Sequence, residues 1–162
     1  MAVTGTYSSL RITLHWVVVG LIVLQFLLKQ GMVSTMEAVR VGETPDTLDY
    51  LLGMLHLLNG LAIGSIMIWR LILRIKAARI AMPAVAVCWQ DRLALAVHRL
   101  FYATLIFLPL TGLLAYYDIA TGHVLHHYGQ WLLLLLVFLH LAGVAYHQFR
   151  LRDQTLQRML RR

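Results

Sequence analysis

Eight histidines and a single cysteine are the side chains here with ligand or redox chemistry to offer. Cys88 alone cannot form an intrachain disulfide, nor complete a four-cysteine iron–sulfur or zinc site within the chain. No CxxCH is present for covalent haem attachment. The informative spacing lies in HHYGQWLLLLLVFLHLAGVAYH, His126 to His147, where the nineteen residues from Tyr128 to Tyr146 are almost wholly apolar yet contain a histidine. That stretch is long enough to cross a bilayer. On a helix the interval between His126 and His140 is about 3.9 turns and about 21 Å, so the two imidazoles share a face at two depths. Gly129 and Gly143 each follow a histidine by three residues and clear room on that face for something flat and large. Two stacked porphyrins fit that spacing.

Such a helix must belong to a membrane protein. The chain is 60% hydrophobic and only 13% charged, with a mean hydropathy of +0.73, too little charge to cover the surface of a water-soluble domain. Its 162 residues suit one compact bundle, with no room for a separate soluble domain.

Four spans are expected, at about 12–28, 50–69, 100–117 and 127–147, in a single all-α domain covering 1–162. Thr6, Ser8 and Ser9 offer helix-start residues before the first apolar run. That run has no small-residue cleavage site behind it and reads as a retained helix, with His15 one turn in and Trp16 at headgroup level. A polar loop, 29–49, follows, in which Pro45 disfavours continuous helix. In the second span Gly53, Gly60 and Gly64 share a face with His56, open to either helix packing or cofactor approach. A basic connection containing Pro83 leads to the third span, where Pro109 and Gly112 mark an expected kink. Asp118 to Leu125 forms a short turn, and the basic tail reads as a surface-lying helix.

Charge sets the orientation. The N-terminus, the middle connection and the tail hold twelve of the fourteen Lys and Arg residues with two acids; the other side holds Lys29 and Arg40 with five acids. By the positive-inside rule both termini are cytoplasmic. The basic residues are then accounted for by topology and anionic lipid, with no nucleic-acid partner. Depth follows: His15 and His140 lie towards the cytoplasm, His56 and His126 towards the outside. The four therefore sort into two facing pairs, His15 with His140 and His56 with His126. A histidine between membrane helices can serve only as a hydrogen-bonding group, but four that pair by depth favour ligation of haem iron.

The remaining histidines rank lower. His127 is rotated about 140° off the face of His140, and His147 shares that face but lies only about 10 Å away, too near for a second porphyrin layer. His147 suits a propionate, a quinone or water near the surface. His98 reads as interfacial and His123 as a loop residue.

With these residues in place the chain resembles the bacterial cytochrome b561 proteins, small four-helix dihaem cytochromes of the inner membrane. The matching pieces are Tyr7-Ser8 and RITLHW around His15, GMLHLLNG around His56, RLILRIK from Arg70, LPLTG from Leu108, LHLAGVAYHQF around His140, and the RDQTLQRML tail. Their order and spacing cover nearly the whole chain. The resemblance implies a four-helix bundle enclosing two bis-histidine haems b on His15, His56, His126 and His140. For one branch of the family it implies oxidation of superoxide with transfer of the electron to ubiquinone. The sequence departs from the family at Asp118 to Leu125, which is short where relatives carry a longer outer segment.

Two axial histidines leave no open position on iron, so outer-sphere electron transfer is the chemistry expected. Three readings follow: a superoxide:ubiquinone oxidoreductase; a cytochrome b membrane anchor passing electrons between quinone and a periplasmic redox partner; and a helical membrane protein without redox function.

Overall fold

A computed structural model of the chain describes residues 9–78, 89–119, 121–151 and 157. Thr6, Ser8, Cys88 and most of the basic tail lie outside the described residues. Four helices follow one another: α1 (Ser9–Arg40), α2 (Thr47–Ala78), α3 (Trp89–Tyr116) and α4 (Gly122–Tyr146), the last running into a π-helical turn at His147–Leu151. All four are long and apolar enough to cross a membrane, and no strand occurs among the described residues. The fold is an all-α, multi-pass membrane bundle.

The helices run further than the apolar runs suggest. α1 continues to Arg40 and α2 already begins at Thr47, so the polar stretch 29–49 is mostly helical and its true connection is only 41–46. A membrane helix need not end where its apolar face ends, because beyond the lipid its polar side chains are solvated. α1 stops instead at a Schellman motif. Gly42 takes φ +77°, its N–H donates to Val39 O at 3.1 Å, and Glu43 N–H donates to Ala38 O at 2.8 Å, closing the helix through a left-handed residue that glycine adopts without strain. Pro45 falls in the non-helical connection as expected. The Asp46 carboxylate then caps α2, accepting from Leu48 N–H at 2.9 Å, which satisfies one of the orphan donors at a helix start.

The second tight connection repeats this device. Asp118 is left-handed at φ 53°, with Asp118 N–H to Ala115 O at 3.1 Å and Ile119 N–H to Leu114 O at 2.8 Å. α4 starts at once, at Gly122, so the turn is shorter than 118–125 and His123 belongs to the first turn of α4, 3.3 Å from the Asp118 carboxylate. A Cβ on Gly122 would fall 2.6 Å from the backbone of Leu114 and Ala115. Only glycine allows the two helix ends to meet this closely.

α3 stays helical through Pro109. The proline ring instead packs against α2, 3.2 Å from where a Gly64 Cβ would stand, and Arg74 lies over the Tyr102 ring. Later residues of α2 thus meet earlier residues of α3, and the pair is antiparallel. The core is built from all four helices, with Val18, Ile63, Met67, Leu105 and Leu133 buried together. Outward faces are apolar, with Leu27 72% and Phe138 67% exposed, as a lipid-facing surface requires.

Candidate functional site

Close backbone contact joins α1 to α2, α2 to α3 and α3 to α4, while α4 stands back from α1 and α2. The facing histidines lie across those two looser approaches. His15 on α1 and His140 on α4 have ring centroids 6.3 Å apart; His56 on α2 and His126 on α4 are 6.4 Å apart. The first pair lies towards the end where α1 begins and α4 ends, the second towards the end where α1 stops and α4 starts. On α4, Leu133 stands midway between His126 and His140, about 10 Å from each along the axis. The buried core therefore forms an apolar layer between the two pairs.

The separation has a chemical meaning. Two imidazoles facing one metal ion from opposite sides, each bound through a ring nitrogen at roughly 2.0–2.1 Å, would hold their centroids about 6.3 Å apart. Among the described residues no group of three or more His, Cys, Asp or Glu is arranged to hold a metal ion. Each facing pair could hold a metal ion only with further ligands from a macrocycle, which the four nitrogens of a porphyrin would supply.

At the loop end the ring nitrogens are already assigned by their partners. His56 Nδ1 lies 3.2 Å from Gln25 O, and His126 Nδ1 lies 3.1 Å from Leu108 O. A carbonyl can only accept, so each Nδ1 carries the proton and each Nε2 keeps its lone pair for a metal. The carbonyl of Leu108 also accepts from Thr111 Oγ1 at 2.9 Å. Behind His56 the contact is reciprocal: Gln25 Nε2 donates to His56 O at 3.0 Å, and Asn59 Nδ2 donates to Gln25 Oε1 and, at 2.9 Å, to Leu21 O. An open-sided cavity lies between these histidines, with Gln25, Lys29 and Gln130 as its other polar lining residues. An apolar cavity with a few placed polar groups is the form a cofactor site takes.

The terminal end is more crowded. His98 on α3 stands 5.3 Å from His140 at an interplanar angle of 90°, and Phe101 stands 5.7 Å from the same ring. Those are edge-to-face ring contacts. At 5.3 Å the His98 and His140 centroids are closer than two imidazoles facing one metal ion from opposite sides would be, a distance that His15 does keep from His140. His98 Nδ1 donates to Ala94 O at 2.6 Å.

The other sequence expectations sort out as follows. His127 is outside the pair, where it accepts from Trp131 Nε1 at 3.3 Å. The glycines near His56 divide: Gly53 packs against Met32 and Thr35 of α1, whereas Gly60 meets the Gln25 side chain and lines the cavity. A Cβ on Gly129 would touch Leu108, but one on Gly143 would meet nothing within 4 Å, so the room beside His140 is real. Sequence reading did not single out Gln25, Asn59 or Gln130. Each is a polar residue inside an apolar run, and Asn59 and Gln130 fall one helical turn from a paired histidine.

Residues 6–162 match the family described as prokaryotic cytochrome b561. The chain is also 28% identical over 159 residues, 96% of its own length and 95% of the relative's, to a protein named cytochrome b562 from Cereibacter sphaeroides. A profile match over nearly the whole length, on four apolar helices, makes this chain a member of the prokaryotic cytochrome b561 family, a membrane electron-transfer protein of the haem b type.

Proposed function

We propose that the chain carries two haems b, one between His15 and His140 and one between His56 and His126, and moves electrons across the inner membrane in exchange with the ubiquinone pool. The observation that carries this is the pair of centroid distances, 6.3 and 6.4 Å, each matching two imidazoles on one metal. Haem with both axial positions filled supplies one-electron, outer-sphere transfer. The chain's own residues do the rest. Gln25 O and Leu108 O hold the protons on Nδ1 of His56 and His126, and the apolar layer around Leu133 keeps water from the path between the pairs.

With twelve of the fourteen Lys and Arg residues in the N-terminal, middle and C-terminal segments of the sequence, both termini are cytoplasmic and the pair His56/His126 lies towards the periplasm. Lys29 lines the cavity of that pair. It supplies a cation where an anionic donor would arrive, and superoxide is the donor we assign. Each superoxide that gives up one electron leaves as dioxygen; two electrons with two protons convert ubiquinone to ubiquinol.

A second reading, an anchor subunit receiving electrons from a periplasmic redox protein, is favoured by a different feature. Glu37, Glu43, Asp46 and Asp49 cluster around the connection 41–46, a surface suited to a basic partner.

The test is anaerobic. Dithionite-reduced protein, freed of reductant, is mixed with a short-chain ubiquinone, and rapid reoxidation in the visible spectrum is expected. No reoxidation would remove the quinone link.

A further inference from the structure

On the outside of the bundle, towards the end where α2 stops and α3 begins, the two helices leave between them an open groove. Its floor and walls are apolar: Leu71 and Ile75 from α2, Ile106 and Phe107 from α3, with the small Ala103 keeping the α3 wall low. Two guanidinium groups also line it, Arg74 from α2 and Arg99 from α3, together with Tyr102. The guanidinium of Arg74 lies 5.5 Å over the Tyr102 ring, which holds a cation in place without neutralising it. Among the described residues neither arginine makes an ion pair with a carboxylate.

Two cations lining one groove at the edge of lipid hydrocarbon are costly unless something anionic meets them. A guanidinium binds a phosphate through paired, charge-assisted hydrogen bonds, and the apolar groove below is shaped for a chain of methylenes. The groove belongs to the outer surface of the bundle, and none of its lining residues lines the histidine cavity.

We infer that the Arg74–Arg99–Tyr102 groove is a binding site for an anionic phospholipid, its phosphate held between the two arginines and one acyl chain laid along Leu71, Ile75, Ile106 and Phe107. The inference does not depend on how many haems the chain carries or on its electron donor. It gives the basic end of the bundle a particular lipid contact in addition to general attraction to a charged surface.

The test uses the full-length protein purified with its cofactor in a mild detergent, delipidated, and titrated with phosphatidylglycerol or phosphatidylcholine under native mass spectrometry. Phosphatidylglycerol is expected to stay bound and phosphatidylcholine to be lost. In the double variant Arg74→Gln, Arg99→Gln, phosphatidylglycerol affinity should fall about thirtyfold, the combined weight of two basic residues at an anionic surface. The control, Arg11→Gln with Arg150→Gln, removes the same charge from the same end of the bundle and should bind as the parent does. Circular dichroism and the visible spectrum report whether each variant is folded. Equal retention of both lipids, or equal losses in the two double variants, would overturn the site. So would an isoprenoid quinone that copurifies with the parent, is lost from the Arg74→Gln, Arg99→Gln protein, and competes with phosphatidylglycerol.

Discussion

Gly112 of α3 and His126 of α4 are in contact so close that a Cβ on the glycine would stand 3.0 Å from Cε1 of the imidazole and 3.1 Å from its Nδ1. The ring is thereby pressed against the α3 backbone, where its Nδ1–H donates to Leu108 O at 3.1 Å. Gly112→Leu should drive the imidazole out of this seat and lower bound haem by about half, since only the loop-end pair is disturbed; Gly112→Ala, needing a shift of only a few tenths of an ångström, should do so partially. Pyridine haemochrome assay per chain is the measurement. Full haem content with an unchanged spectrum in Gly112→Leu would mean that His126 is held by something else.

Asn59 is buried inside a membrane helix and donates to Gln25 Oε1 and Leu21 O, while Gln25 in turn grips both ends of His56. Asn59→Leu leaves the Gln25 amide oxygen without its donor and should cost about 1–3 kcal/mol of stability. A purely structural role would stop there. As a residue that positions His56, its loss should also move the reduction potential of the loop-end centre while leaving the terminal-end centre unchanged. Redox titration of the two centres decides, and equal shifts in both, or none, would leave Asn59 a packing residue only.

The four paired histidines could be read from sequence because a membrane helix fixes both depth and face, so the spacing of His126 and His140 and the turn each occupies in its span suffice to match partners. Helix ends could not be read the same way. α1 carries Lys29, Glu37 and Arg40 on continuous helix, and nothing local marks Arg40 as its end except Gly42 two residues on. His98 is invisible as a neighbour of His140 because their contact depends on how α3 packs against α4, which no single-helix periodicity encodes. Gln25, Asn59 and Gln130 are anomalies visible in an apolar run, but which of them reaches a histidine is again a tertiary fact.

Lys29 is the cation that lines the loop-end cavity, on a side of the protein otherwise dominated by acids. If superoxide is the donor, Lys29→Glu should slow stopped-flow reduction of the protein about tenfold and abolish the slowing that added salt causes in the parent. An unchanged rate in Lys29→Glu would exclude Lys29 from the encounter. A parent rate no faster than the uncatalysed background would set superoxide aside in favour of a protein donor on the acidic connection.

Orientation is independent of the haems. A phosphatase reporter joined after Arg162 should be inactive and a fluorescent cytoplasmic reporter at the same position active, because twelve of the fourteen Lys and Arg residues fall in the N-terminal, middle and C-terminal segments of the sequence. The opposite pattern would exchange the two sides and put His15 and His140 next to the periplasm.

The most direct measurement is the haem content of the purified, unmodified chain: pyridine haemochrome against quantitative amino-acid analysis, on protein whose reduced spectrum is that of low-spin haem b. If each pair of imidazoles, with centroids 6.3 and 6.4 Å apart, holds one haem as proposed, two haems b per chain are expected, extractable with acid acetone. One haem per fully loaded chain would contradict the pairing and leave two of the four histidines as hydrogen-bonding groups between helices.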